Sequence, residues 1–418
     1  MTRRSAFIFV TSLFLFGCNS NNKNNNCYNQ AESFHIRSSA TKRHHQQRLQ
    51  LPSSSSSSSI TTTRKIDAVE FQTTLGIPDG LMQSLCKNTD PNTFHKRIWI
   101  VDNSGSMGML DGHQVLGTSS SMKATTTTTG EQKNDTKDCT RWKELEETVL
   151  CHAQLSHALN VPTDFRLLNN NNDNKNNKKK EFRVGYGKKM RNELKQAQTA
   201  LAKTKPSGSS PLAESIQSIR QEIVSMLPKL KKEGSKVAVV IVTDGCNHNL
   251  ENLGRPESEI NQELIQALES LLLQENLPVH VVVRLCTDYG PLVDLYNELD
   301  KRIDGLDVID DYAHEAEEVY KHNPWLNYAL ILHRMREMGH YSYLMDWLDE
   351  RTFTRDELRD FCAFLFGTDK NNLTDPNKDW LGFLKDINNL QKKEKMLLNP
   401  ITQQMTPWID VQVLAMLE

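Results

Sequence analysis

The chain has 418 residues, and 50 lysines and arginines against 52 aspartates and glutamates give a formal net charge of -2 at pH 7. A charge so close to balance gives no indication of nucleic-acid or anionic-membrane binding as the main task. None of the 8 cysteines stands in a Cys-x-x-Cys spacing, so zinc ribbons and thiol redox motifs are not indicated.

The amino-terminal segment, residues 1–20, contains a short apolar stretch. Arg3 and Arg4 precede an apolar run from Ala6 to Gly17. Its length suits a secretory signal and is too short for a comfortable membrane span. We therefore predict no integral membrane span. The stretch favours the secretory pathway, and the alternative is an unprocessed hydrophobic tail on an intracellular protein.

A polar, repetitive segment follows over residues 21–64, including a run of serines. Its apolar content is too low to offset the entropy lost on ordering, so we predict that it is disordered. Residues 65–95 form a lead-in segment to the first predicted domain.

The first strand of that domain ends in a loop rich in oxygen ligands. The four apolar residues Ile98–Val101 predict a strand buried on both faces, as in parallel sheets. Asp102 follows at its carboxyl end, where open α/β sheets bind ligands. Ser104 and Ser106 come next, with Gly105 between them. Hard oxygen donors in this spacing suit Mg²⁺ or Mn²⁺, although the same residues also cap helices and stabilise turns.

Strands and helices alternate along residues 96–310, interrupted by two low-complexity insertions near 118–140 and 169–180. The predicted strands 164–168 and 181–184 have no crossover helix between them, so they should pair antiparallel, with the second at the sheet edge. The other predicted elements are helices at 141–159, at 192–201, from 212, around 260–271 and around 292–299, and strands at 237–243, 279–285 and 306–309. This pattern predicts an α/β fold with a doubly wound, mostly parallel, Rossmann-like sheet and one antiparallel edge strand.

Two further loops of this domain present oxygen ligands. Ser210 lies in a Gly/Pro-rich loop that opens an amphipathic helix at Leu212. Asp244 directly follows the apolar strand that ends at Thr243. If the strands before Asp102 and Asp244 are neighbours, the two aspartates should meet at the switch-point crevice of the sheet.

Together the three loops resemble the metal-ion-dependent adhesion site (MIDAS) of the von Willebrand factor type A (vWA) family. The resemblance covers about the middle half of the chain. It implies a vWA domain in which Mg²⁺ or Mn²⁺ is bound by five residues: Asp102, Ser104, Ser106, Ser210 and Asp244. The family usually has threonine where this chain has Ser210, a change that keeps the hydroxyl. In this family the site is a protein-binding switch, which implies a partner protein that presents an Asp or Glu.

The carboxyl-terminal part, residues 311–418, is predicted to be a helical extension that packs on itself or on the sheet domain. Strand patterns stop after Asp310, and aromatic residues recur at helical spacing. Thr354 and Glu357 predict a capping box, and Gly367 should end the helix that it opens.

An enzymatic alternative is Mg²⁺-dependent phosphoryl transfer by strand-end aspartates, as in haloacid-dehalogenase-like phosphatases. That chemistry uses a second carboxylate two residues after the nucleophilic aspartate, and this chain has Ser104 at that position. The sequence also has no Gly-x-Ser-x-Gly, Walker A or His-Glu-x-x-His motif. We therefore predict a binding module without catalytic residues; a vestigial metal site is a third interpretation.

Overall fold

The computed structural model describes residues 72–73, 75–88, 93–114, 137–169, 181–186, 190–247, 254–274, 276–287, 289–339 and 342–416. The predicted signal at 1–20, the predicted disordered segment at 21–64 and most of both low-complexity insertions lie outside these residues. Among the described helices, none is both long and apolar enough to cross a bilayer.

The described strands, in chain order, are β1 (Phe94–Val101), β2 (Gly112–Gln114), β3 (Lys137–Cys139), β4 (Thr163–Leu167), β5 (Glu181–Val184), β6 (Lys236–Thr243), β7 (Val279–Leu285), β8 (Leu306–Ile309), β9 (Leu397–Leu398) and β10 (Met405–Thr406). Six of them form one sheet in the order β5-β4-β1-β6-β7-β8. Every neighbouring pair is parallel except β4 and β5, which are antiparallel at the edge. The predicted fold class and the antiparallel edge strand are therefore confirmed.

The described α-helices, in chain order, are α1 (Asp79–Asn88), α2 (Arg141–Ala158), α3 (Met190–Lys203), α4 (Leu212–Glu233), α5 (Glu257–Leu272), α6 (Gly290–Arg302), α7 (Tyr312–His322), α8 (Leu330–Glu337), α9 (Tyr343–Glu350), α10 (Arg355–Phe366), α11 (Trp380–Gln391) and α12 (Val411–Ala415). Helices α4, α5 and α6 cover one face of the sheet, and α2 and α3 cover part of the other. Because both faces are covered, the central strands read as continuous apolar runs.

The strand order places the switch point between β1 and β6. The chain leaves β1 towards β4 on one side and returns to β6 on the other. In register, Val101 at the end of β1 is opposite Val242 near the end of β6. The loops that follow these two strands therefore begin side by side, as the sequence predicted.

The two small sheets affect one predicted insertion and the start of one helix. The last residues of the predicted insertion at 118–140 form β3, which pairs antiparallel with β2. Helix α8 begins at Leu330. Asn327 lies outside it because its backbone N–H donates to Trp408 O at 2.9 Å and its side chain donates to Leu397 O at 3.1 Å.

The carboxyl-terminal helices share one core with the lead-in segment. Both halves of the predicted capping box at Thr354 and Glu357 are present, and Gly367 ends α10 with a φ of 69°. Helix α1 crosses the end of α10 so closely that a Cβ on Gly80 would lie 1.9 Å from Phe364 O. The described residues of the extension thus share one apolar cluster with α1 and with the end of α2.

This helical extension also packs on the sheet domain, through a buried charged network on α8. Glu337 accepts hydrogen bonds from Arg334 on its own helix, the shortest at 2.7 Å. Its carboxylate also lies 2.7 Å from His152 Nε2 of α2 and 3.5 Å from Arg284 Nε of β7. Arg97 of β1 adds a hydrogen bond of 3.0 Å to the backbone O of Met338. Burying charges requires such mutual pairing, so the contact has one preferred arrangement.

Candidate metal centre

The first predicted loop begins at Asp102, which is fully buried directly after β1. Its backbone N–H donates to Val242 O at 3.0 Å, which fixes it against the end of β6. Its Oδ1 accepts a 2.9 Å hydrogen bond from the backbone N–H of Ser104. The Ser104 and Ser106 hydroxyls lie 3.0 Å apart, Ser106 being in the short 3-10 helix Gly105–Gly108. The spacing of two thus places both hydroxyls on one side of the loop.

The second predicted loop lies directly against the first. The Ser210 hydroxyl donates to Asp102 Oδ2 at 3.1 Å. The backbone N–H of Gly105 donates to Gly208 O at 3.1 Å, and Ser207 N–H donates to Asn103 O at 2.9 Å. Gly208 has a φ of 86°, a conformation that favours glycine, so this loop depends on that residue to approach the first.

The third predicted loop contributes a residue that the sequence analysis missed. Thr243, the last residue of β6, donates its hydroxyl to Asp102 Oδ2 at 2.6 Å. Asp244 follows it and is also fully buried, with Oδ1 accepting a 3.3 Å hydrogen bond from Cys246 N–H. Gly245 has a φ of 84°, and a Cβ there would lie 2.6 Å from the side chain of Leu292. This backbone conformation favours glycine, and a Cβ there would also force Leu292 to shift.

The structure brings all five predicted site residues to one edge of the sheet. Asp102 links the loops directly, since Oδ2 accepts from both Ser210 and Thr243. Burial, and then repulsion from Asp244, raise the pKa of Asp102 to about 6, although hydrogen bonds from Thr243 and Ser104 oppose the rise. Two buried carboxylates with adjacent hydroxyls form an electronegative cluster, which is the chemistry that binds a hard divalent cation.

A second missed residue is Arg141, the first residue of α2, which is buried beside the third loop. Its Nη1 donates to Asp244 Oδ2 at 3.0 Å. Its Nε and Nη2 donate to the two carboxylate oxygens of Asp111 at 2.7 and 2.6 Å. An arginine at the amino end of a helix is opposed by the helix dipole, so its position there is a faint signal of an acidic partner.

A third missed feature is the amide pair that closes the rim of the first two loops. Asn103 Oδ1 accepts from the backbone N–H of Asn169 at 2.7 Å, and Asn103 Nδ2 donates to Asn169 O at 3.0 Å. Asn169 Nδ2 in turn donates to Ser209 O. The start of the Asn-rich insertion is therefore part of the site's framework, which its composition did not indicate.

Comparison of the chain with protein-family models found no match, and comparison with curated proteins found none either. Function is therefore inferred from the geometry and chemistry of this edge of the sheet.

Proposed function

We propose that the protein is a metal-ion-dependent binding module that captures an acidic residue of a partner protein. Asp102, Ser104, Ser106, Ser210 and Asp244 would hold Mg²⁺ or Mn²⁺, as in the metal site of the vWA family that the three loops resemble. The main observation behind the proposal is that hydroxyl groups from two distant segments donate to the same carboxylate oxygen. Asp102 Oδ2 accepts from Ser210 at 3.1 Å and from Thr243 at 2.6 Å, although these residues are far apart in sequence.

The donor set fits a hard cation that keeps a position for an outside ligand. Three of the five side chains are neutral hydroxyls, which leave much of a dication's charge uncompensated. Arg141 reduces the negative charge further through its contact with Asp244. Bound in this set, the ion would supply a Lewis-acidic position at which a partner's Asp or Glu completes the charge balance.

The surface beside the loops suits a protein ligand. Met109 and Leu110, which directly follow the 3-10 helix of the first loop, are both exposed. These two side chains would add apolar contact area for a partner protein at the edge of the site. A partner would therefore be recognised by its carboxylate and by apolar neighbours.

The geometry favours binding over phosphoryl transfer. Both oxygens of Asp102 already accept hydrogen bonds, Oδ1 from Ser104 and Oδ2 from Ser210 and Thr243. These bonds orient Asp102 towards the loops that would hold the ion, and phosphoryl transfer uses a second carboxylate two residues later, where this chain has Ser104. The arrangement suits a carboxylate that holds a site together.

The first test is metal binding by the full chain. We expect Mg²⁺ to stabilise the wild type against thermal unfolding, by about 2.7 kcal/mol at 100 times its dissociation constant. Asp102→Ala should lose the stabilisation, whereas Asp294→Ala, a change at an exposed aspartate of α6, should retain it. Equal stabilisation of Asp102→Ala and wild type would reject the site.

The second test is ligand capture. An array of peptides with a single Glu, each paired with its Gln counterpart, would be probed with the protein in Mg²⁺ and in EDTA. We expect binding that needs both Glu and Mg²⁺ and is absent for Asp102→Ala. Binding that survives EDTA would contradict the mechanism. Metal-dependent hydrolysis of an aryl phosphate that is lost in Asp102→Asn would support the phosphatase alternative instead.

A further inference from the structure

A second group of metal-ligating side chains lies outside the five residues discussed so far. His113, Asp311 and His314 each offer one ligand atom, and these three atoms lie within 4.8 Å of one another. His113 belongs to β2, whereas Asp311 and His314 belong to the start of α7. Folding therefore brings together two imidazoles and a carboxylate from distant parts of the chain.

The three ligand atoms lie near enough to one another to share one ion after small shifts. Asp311 Oδ2 lies 2.5 Å from His314 Nδ1 and 3.7 Å from His113 Nδ1. In a tetrahedral site with bonds of about 2.0–2.1 Å, neighbouring ligand atoms are about 3.3–3.4 Å apart. The two observed distances lie on either side of that value. An ion would replace the hydrogen bond between Asp311 and His314 and move those two atoms apart by about 0.8–0.9 Å.

The surroundings hold the carboxylate in place. Asp311 Oδ1 accepts hydrogen bonds from the backbone N–H groups of Ala313 and His314 at 2.7 and 3.2 Å, which leaves Oδ2 to the imidazoles. The oxygen that faces the two histidines is thus oriented towards them.

The other side of the group is also fixed and yet open to solvent. The backbone N–H of His113 donates to Glu144 Oε2 at 2.9 Å, and Glu144 is paired with the buried Arg284. The side chains of His113 and His314 are 26% and 43% exposed, against 4% for Asp311. The two imidazole rings are therefore partly exposed, whereas His113 Nδ1 and the carboxylate of Asp311 are buried.

We propose that His113, Asp311 and His314 form a second metal site, one that binds a first-row transition-metal dication such as Zn²⁺. Two imidazoles and one carboxylate suit zinc and its neighbours, whereas Mg²⁺ prefers oxygen ligands alone. Three protein ligands leave a fourth position to water. The ion would also connect β2 to the first turn of α7, and so join the sheet domain to the helical extension. This proposal does not depend on the Mg²⁺ site.

The experiment titrates Zn²⁺ into the full chain in competition with a chromophoric zinc chelator, with excess Mg²⁺ present to occupy the first site. The variants are His314→Ala, His113→Ala/His314→Ala and the control His322→Ala, which makes the same change near the other end of α7. We expect wild type and His322→Ala to bind Zn²⁺ alike, His314→Ala to bind at least about tenfold more weakly, and the double variant to lose the site.

A second readout uses Co²⁺ in place of Zn²⁺. Wild type and the control should show the visible absorption of four-coordinate cobalt, and the double variant should not. Because the His314 side chain is partly exposed, its loss should leave the far-ultraviolet circular dichroism unchanged. Equal Zn²⁺ affinity in wild type and the double variant would overturn the proposal. So would a wild type that never competes with the chelator, which would leave the three residues as a helix cap with paired histidines.

Discussion

The contact between Arg141 and Asp244 makes a quantitative prediction about the candidate metal centre. Arg141→Met removes the guanidinium and keeps much of the side-chain volume. In the wild type, Arg141 Nη1 lies 3.0 Å from Asp244 Oδ2, and both side chains are buried. Without the arginine, Asp244 and Asp102 are two buried carboxylates with no cation in contact with Asp244 Oδ2.

The magnitude follows from the geometry. Two unit charges about 3 Å apart attract by about 5–6 kcal/mol at an effective dielectric constant of about 20. Removal of one partner from a buried pair is generally found to cost about 3–5 kcal/mol. We therefore expect Arg141→Met to lower the free energy of unfolding by about 3–5 kcal/mol in EDTA. Excess Mg²⁺ should restore much of this loss, because the ion supplies the positive charge that the arginine supplied.

Metal affinity should change in the opposite direction. Arginine and a metal ion compete for the same carboxylate, so the variant should bind Mg²⁺ more tightly than the wild type. If the ion recovers about 3 kcal/mol, its dissociation constant falls by about 100-fold.

The assay is urea unfolding followed by tryptophan fluorescence, in EDTA and in excess Mg²⁺, with calorimetric titration of Mg²⁺. Asp111→Asn is the matched control, since it changes the more exposed partner of Arg141 and leaves the contact with Asp244 in place. We expect it to cost less than about 1 kcal/mol. The reasoning is refuted if Arg141→Met loses the same stability in EDTA and in Mg²⁺, or if its Mg²⁺ affinity equals that of the wild type.

Two further predictions concern stability. Burial, followed by repulsion from nearby cations, lowers the pKa of His280 from 6.5 to about 4, so the unfolded state takes up the proton first as the pH falls. This histidine should therefore lower the free energy of unfolding by about 3 kcal/mol as the pH falls from about 6.5 to about 4. Urea unfolding across that range should show a smaller loss for His280→Gln than for the wild type. An identical pH profile for the two proteins would contradict the assignment. Gly80→Ala places a Cβ 1.9 Å from Phe364 O, so we expect a loss of about 1–3 kcal/mol and faster proteolysis near α1. Gly108→Ala, where no atom beyond the chain neighbours lies within 4 Å of the added Cβ, should cost far less, and equal losses in both variants would exclude the contact as the cause.

Much of the candidate centre was predictable because each piece is a local pattern at the end of an element. The apolar runs before Asp102 and Asp244 indicated buried parallel strands, and parallel strands present their carboxyl ends at the same edge of a sheet. The order β4-β1-β6 makes the two strands neighbours. Ser210 then follows from its place at the start of an amphipathic helix, since the loops before such helices lie at that same edge.

The roles of Thr243 and Arg141 were not predictable in the same way. Thr243 was visible as the last residue of an apolar strand, but only the register of β6 beside β1 shows that its hydroxyl reaches Asp102. Arg141 contacts Asp244 because Met109 O accepts a hydrogen bond from the backbone N–H of Arg141. That contact joins residues on either side of a low-complexity insertion. Local periodicity in the sequence does not show which residues meet across such an insertion.

The structure of the helical extension was also only partly predictable from the sequence. Its helices follow from periodicity and capping, as the confirmed capping box at Thr354 shows. Its docking on the sheet depends on Glu337, whose partners Arg334, His152 and Arg284 lie on three different elements. A charged residue on a helix is ordinarily read as solvent-exposed, so no pattern in the sequence marks it as buried.

The short strand β2 connects the two candidate metal sites. Through this strand, metal binding at the start of the helical extension can affect the metal site at the edge of the sheet. Asp111, just before β2, is paired with Arg141, which also contacts Asp244, and His113 two residues later faces Asp311 at the start of the extension. A metal ion that draws His113 towards α7 therefore acts on the segment that positions Arg141. Since Arg141 and Mg²⁺ compete for Asp244, Zn²⁺ affinity and Mg²⁺ affinity should be coupled, and thermodynamic linkage requires that coupling to be the same in both directions.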